Sequence, residues 1–435
     1  MLKIKVKESD DIQAAINQIR ELHGGELIIS KGKHITGPIL LTSNLTMTFE
    51  KGAVLKFKDD PMLYPPVWTR WEGIECYAMH PLIYATDEHN ISINGEGIID
   101  GSGSGWWNKF RKIESEDRTK PREAYEIRLA KLNPDYQTRT GGGGRPSTQF
   151  LRPPLIQFWK CEEIVLDGVT LKNSPFWTLH MVYSHNVVIK NMTFSNPASA
   201  INTDAMDIDS TENVTVNNCL LDVGDDGVTL KSGSGKDGLR INRPTKNVKV
   251  TNCRILASHG GIAIGSETAA GISSVEVSNC TFEGTRRGIR LKSRRTRGGT
   301  IENIKLHDLR MDACWCPISL EQYFAPGVLP DEEKTVLSEK AQPVDETTPH
   351  IKNIDIKNIE ATNVRATAAF IVGLPEANIK NVNIENFEWS LAKEDQLLPT
   401  KFAEETGGRF HDENRGIKTI NVSNLTINGK KINMN

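Results

Sequence analysis

The sequence predicts an all-β solenoid, about ten stacked coils forming one elongated domain over residues 1–435, and three observations predict it. A short unit with apolar residues at alternate positions and Asn near its ends recurs along the chain, as in Asn186-Val187-Val188-Ile189-Lys190-Asn191 and Asn247-Val248-Lys249-Val250-Thr251-Asn252. The recurrence comes every 23 to 38 residues, with one longer gap around 309–350. Gly and Asn are abundant while aromatic residues make up only 6%. Alternation means strands with one buried face, and a single coil cannot bury its own face, so the coils must stack.

The repeat runs from weak copies at Ile91 and Ile164 to strong ones beginning at Asn213, Ser274, Asn303, Asn353, Asn381 and Thr419. The Asn that closes each unit tolerates left-handed backbone and can bond its counterpart one coil away. A ladder of Asn191, Asn218, Asn252, Asn279, Asn358, Asn386 and Asn424 is therefore expected at one turn. Cys219, Cys253 and Cys280 each follow a ladder Asn and read as small buried hydrophobes.

Upstream, Ser9-Asp10-Asp11 precedes Ile12, Ala15, Ile16, Ile19 and Leu22 at helical spacing, and Gly24-Gly25 follows. This predicts a capping helix over 9–23 that closes the first coil. Two segments break the rhythm: 104–150, ending in Gly141-Gly142-Gly143-Gly144, and 322–350 with Pro326, Pro330 and Pro343. Long inserts on a solenoid tend to flank a binding face, so these are the expected cleft walls.

A formal charge of −2 gives no global attraction to nucleic acid or membrane, and oligomeric state is not legible. Seven cysteines, an odd number, suit a reduced protein. Met1-Leu2-Lys3-Ile4-Lys5-Val6 lacks the core of a signal peptide, so the expected location is cytoplasmic if the chain is complete and secreted if a leader has been removed.

Aligning the coils gathers the chemistry. Met206, Val228, Ile262 and Ile289 fall in one inward column, and Ile208, Leu230, Ile264 and Leu291 in another. Asp207, Thr229, Arg290, Asp209, Lys231 and Lys292 are then expected to point outward. Just before these strands lie Asn202-Thr203-Asp204, Asp225-Asp226 and His259-Gly260-Gly261. Parallel strands sit roughly 5 Å apart, which turns sequence separations of 20 to 35 residues into vertical neighbours. Asp-Asp alone fits a calcium site or a solvated turn, whereas several acidic segments in register fit acid–base chemistry. Crowded carboxylates leave at least one with a raised pKa, which supplies an acid and a base from the same residue type. Seven cations between Arg286 and Arg297 lie in register and suit an anionic sugar. Trp106, Trp107, Arg152, Trp177 and Tyr323 are further candidates to line sugar subsites.

The ordered set Asn202-Thr203-Asp204, Gly224-Asp225-Asp226, Ser258-His259-Gly260-Gly261 and Arg290-Leu291-Lys292 resembles the motifs of glycoside hydrolase family 28, the polygalacturonases. The resemblance implies a right-handed parallel β-helix, with Asp225 as general acid and Asp204 and Asp226 activating the water. It implies that His259 tunes the acid, that Arg290 and Lys292 bind the galacturonate carboxylate and that the anomeric centre inverts; no metal or organic cofactor is expected, and Asn202, Arg152 and Tyr323 are expected to bind substrate as well. Gly227 stands where many members have Cys, and Ser258-His259-Gly260-Gly261 where many have Gly-His-Gly. The run from His259 to Glu267, followed by Arg287 to Lys292, is more similar to the exo-acting branch. The implied substrate is an acidic oligo- or polysaccharide, α-1,4-linked galacturonate. A rhamnogalacturonan or substituted-pectin hydrolase, a calcium-dependent pectate lyase and a non-catalytic glycan-binding β-helix are the competing readings.

Overall fold

The computed structural model describes residues 2–138 and 147–432; the Gly141–Gly144 run lies outside the described residues. The architecture is all-β, a right-handed parallel β-helix. Two compact units divide the chain, one ending at Asp225 and the other carrying Asp226–Asn435.

In the first unit, Ile12–Glu21 forms the expected helix, and the Asp11 carboxylate accepts the Ala14 N–H at 3.0 Å as its N-terminal cap. The helix buries Ile12, Ala15, Ile16 and Ile19, whereas Leu22, expected on the same face, follows the last helical residue and is exposed; the Gln13 amide bonds both the N–H and the C=O of Leu40. Parallel pairing then runs Ile39–Leu40, Ile83–Thr86, Ile156–Trp159, Leu179–Val182, Met206–Asp209. A second wall pairs Leu45–Phe49, His89–Gly95, Glu162–Asp167, His185–Lys190 and Glu212–Asn217.

In the second unit the strands Val228–Lys231, Gly260–Gly265, Arg287–Lys292, Cys316–Glu321, Ala369–Val372 and Ile417–Ile420 pair in succession. Val228, Ile262, Ile289 and Ile318 stack in one register, and each is completely buried. At roughly 1.5–3 kcal/mol per buried aliphatic side chain, such columns are what makes a coil stable only beside its neighbours.

The Asn expectation holds in backbone terms, since all seven ladder residues adopt positive φ. The side chains form two ladders and not one. Asn218 bonds Asn191 at 2.7 Å and Asn386 bonds Asn358 at 2.9 Å, while Asn213 bonds Asn186 at 3.1 Å and Asn381 bonds Asn353 at 2.9 Å. Asn424 belongs to the second ladder, on Asn381 at 3.0 Å, because Val422 pairs with Ile379. The repeat read from Thr419 is thus out of register with the last coil. All seven cysteines are free and buried.

The residues expected to point outward leave the coil interior but do not meet solvent. Asp207 and Asp209 are fully buried, and the Arg70 Nη1, from the hairpin strand Pro66–Trp71, donates to Asp209 at 2.7 Å. Four of the seven cations are likewise structural. Arg294 donates to the Phe324 and Pro326 carbonyls at 3.2 and 2.6 Å, and Arg295 forks onto Glu376 at 2.6 and 2.9 Å. Arg297 lies 3.4 Å from Glu267, and Arg287 donates to the Phe402 and Glu404 carbonyls at 3.1 and 3.0 Å. The strip fastens inserted segments to the strands. Trp106 and Trp107 are anchors too: Trp106 stacks on Phe150, and Trp107 Nε1 donates to the Ser174 carbonyl at 3.0 Å.

Candidate active site

In the first unit the Asn-Thr-Asp segment is a turn leading into the strand Met206–Asp209, with Asn202 in left-handed backbone. Thr203 is completely buried, and its hydroxyl donates to the Ala200 carbonyl at 3.2 Å while accepting the Gly224 N–H at 3.3 Å. The turn bearing Asp204 is thereby tied to the turn bearing Asp225 one coil later. Gly224 is required there, because a Cβ would stand 2.3 Å from the Ala200 carbonyl oxygen and 2.6 Å from that of Pro197. Asp204 is buried and Asp225 half-buried, with carboxylate oxygens within 4.8 Å.

Arg152 has a supporting position in this turn. Its Nη1 donates to the Pro175 and Ile201 carbonyls at 2.9 Å each, its Nη2 to Asn202 Oδ1 at 2.8 Å, and its guanidinium lies over Phe110. At 1% exposure Arg152, expected to bind substrate, is enclosed, and its bond to Asn202 orients that side chain. Trp177, buried, stacks on Phe176.

The next residue, Asp226, belongs to the second unit. Asp226 Oδ1 accepts from Arg290 Nη1 at 2.6 Å and Oδ2 from Lys292 Nζ at 2.7 Å. Burial alone would raise its pKa, but the charges of Arg290 and Lys292, with help from His259, hold it far below the carboxylate range. These cations therefore favour the ionised form of Asp226. The alternation of the strand Arg287–Lys292 places Arg290 and Lys292 on one face, two residues apart, so one carboxylate can accept from both. Half-buried His259 precedes two obligatory glycines. A Cβ on Gly260 would lie 2.8 Å from Asp226 Oδ1, and one on Gly261 would lie 2.2 Å from the Phe282 ring. Gly227 is fixed in the same way, with the Gly261 carbonyl oxygen 2.6 Å from its Cβ position.

Tyr323, expected to bind substrate, is enclosed. It is fully buried in the cluster with Val336, Leu337 and Phe370, its ring edge-on to Phe410 at 4.8 Å. Its neighbour Phe324 covers the cations, with its ring 5.8 Å from the Arg290 guanidinium and 5.3 Å from Lys292 Nζ.

Two carboxylates that the motif reading missed complete this half. Glu405 pairs with the Arg290 Nη2, and Glu321 Oε2 accepts the Glu405 N–H at 3.2 Å. Burial, reinforced by the charge of Glu405, pushes Glu321 up to about 8. The raised carboxyl of this unit is thus Glu321 and not Asp226. Extending the strand alignment by one coil finds Glu321, which pairs with Lys292 in register. Glu405 lies in a segment without repeat and leaves no signal.

The fold is a parallel β-helix whose first unit carries a carboxylate pair and whose second carries a carboxylate clamped between two cations. Residues 143–396, more than half of the chain, match the family model of Glycosyl hydrolases family 28, and the chain belongs to that family. It is 28% identical over 315 residues to a probable polygalacturonase of Vitis vinifera, covering 71% of this chain and 57% of that protein. An endo-polygalacturonase of Pectobacterium carotovorum subsp. carotovorum is 27% identical over 72% of this chain and 71% of its own. Among solved structures, a hyperthermoactive exopolygalacturonase from Thermotoga maritima superposes with a TM-score of 0.73 at 29% identity, covering 96% of this chain and 87% of that one.

Proposed function

We propose that the chain hydrolyses α-1,4-galacturonosidic bonds of pectin-derived oligogalacturonates with inversion, releasing galacturonate from the non-reducing end. Asp225 donates its proton to the glycosidic oxygen as the C1–O bond breaks. Asp204 and Asp226 position and deprotonate the water that attacks C1, His259 tunes the acid, and Asn202 binds substrate. The observation that carries the reading is the clamping of Asp226 by Arg290 and Lys292, which favours the ionised form of this carboxylate. Half-buried Asp225 has the exposure a proton donor needs.

The closeness of Asp204 and Asp225, within 4.8 Å, is shorter than the roughly 6.5–9.5 Å of most inverting pairs. Inversion requires the attacking water to reach C1 from the face opposite the departing oxygen. End-wise action is supported by likeness to the Thermotoga maritima exopolygalacturonase, while the Pectobacterium relative is an endo-enzyme. Proton NMR of a digested galacturonate trimer tests both points. The first product should be monomeric galacturonate, with the newly formed reducing end as the β-anomer. An initial α-anomer refutes inversion, and a spread of sizes from longer oligomers refutes end-wise action.

A further inference from the structure

Arg290 is held between two carboxylates of unequal access. Asp226, on Nη1, has a side chain only 1% exposed, whereas that of Glu405, on Nη2, is 21% exposed and so forms the solvent side of the pair. The backbone of Glu405 is pinned, its N–H on Glu321 and its C=O accepting the Ala325 N–H at 2.8 Å. Its side chain alone can leave. Burial opposes ionisation, but Arg290, Arg287 and Lys292 hold the Glu405 pKa down to about 2, so the group is an anion. Arg287, Arg290 and Lys292 face two anions, Asp226 and Glu405, with Glu321 uncharged near neutrality. The cluster keeps an excess of one positive charge.

We propose that Glu405 is a specificity-determining residue that acts as a resident carboxylate: the acid group of a uronate takes its place on Arg290. This rests on the function proposed above. An acidic sugar exchanges one ion pair for another, and the released Glu405 carboxylate turns into water at little cost. A neutral sugar offers no such exchange and would take from the Arg290 Nη2 the carboxylate it now holds, so it leaves Glu405 in place. Glu405 thus lowers affinity for the acid while keeping neutral sugars off Arg290.

Isothermal titration of the full chain with galacturonate and with galactose, at about pH 5 where Glu321 stays protonated, tests this. Glu405→Gln should tighten galacturonate binding roughly fivefold, the scale of one partly exposed ion pair, and leave galactose unchanged. Glu405→Asp, with a retracted carboxylate, should show a smaller gain and carries the test if the amide variant does not fold. Unchanged or weaker galacturonate binding in a normally melting variant overturns the proposal, as does an equal gain for galactose. Cleavage of the trimer by the wild-type chain with no gain in the variant removes this proposal alone. A wild-type chain that neither binds galacturonate nor cleaves the trimer removes the functional reading and this proposal with it.

Discussion

The hydroxyl of Thr203 accepts the backbone N–H of Gly224 at 3.3 Å and fixes the turn of Asp204 against the turn of Asp225. Because it also donates to Ala200, a single buried side chain satisfies two backbone groups. Thr203→Val keeps the volume and deletes both bonds. The expected loss is about 1–3 kcal/mol, a lowered melting temperature, and a fall in kcat larger than any rise in KM. Thr203→Ser should recover most of both.

Asp225→Asn removes the proposed proton donor while leaving an amide of equal size. A drop of roughly 10²–10⁴-fold in kcat with intact oligogalacturonate binding is expected, measured by reducing-sugar release and titration calorimetry. Wild-type rates in this variant would refute the assignment.

The two buried carboxyls of the second unit bend the stability curve in opposite senses. Asp226 has a depressed pKa, so its contribution is present above the unfolded value of about 3.9 and is lost only as pH falls below it. Glu321 is raised to about 8, so the folded chain binds the extra proton. Its contribution is full below the unfolded value of about 4.3 and drains away as pH rises to 8, at up to about 1.4 kcal/mol per unit. Denaturant melts of Glu321→Gln between these limits should show that descent flattened. An unchanged slope would mean that Glu321 is ionised throughout.

Gly260→Ala places a methyl group against Asp226 Oδ1 and Arg290 Cδ, 2.8 and 2.9 Å away. Both are side-chain atoms, so the fold should survive with a cost below about 3 kcal/mol. Displacing the base should lower kcat by up to about 100-fold. Circular dichroism and steady-state rates on one preparation separate the two effects.

The coils were legible because alternation and a recurring Asn are local signals, and the same columns led from Val228 to Ile289. Register failed at Asn424, where Asn421-Val422-Ser423-Asn424 mimics a whole repeat unit and only pairing with Ile379 reveals the offset. For the site, motif order gave the acids, the histidine and the two cations as a set. It could not tell that Arg152 serves Asn202 or that Tyr323 is internal, since a residue type does not state which loop will cover it. Most of the basic run faces inserted segments for the same reason. Glu405 reaches Arg290 from 115 positions away, beyond the reach of any pattern.

Every thiol in the chain is enclosed, and burial pushes those of Cys161, Cys314 and Cys316 up to about 12. Thiolate, the form that reacts with alkylating and oxidising reagents, is then almost absent while the coils are closed. The folded protein is chemically silent toward such reagents, and the rate at which cysteines become labelled in dilute denaturant is a direct clock for the opening of individual rungs.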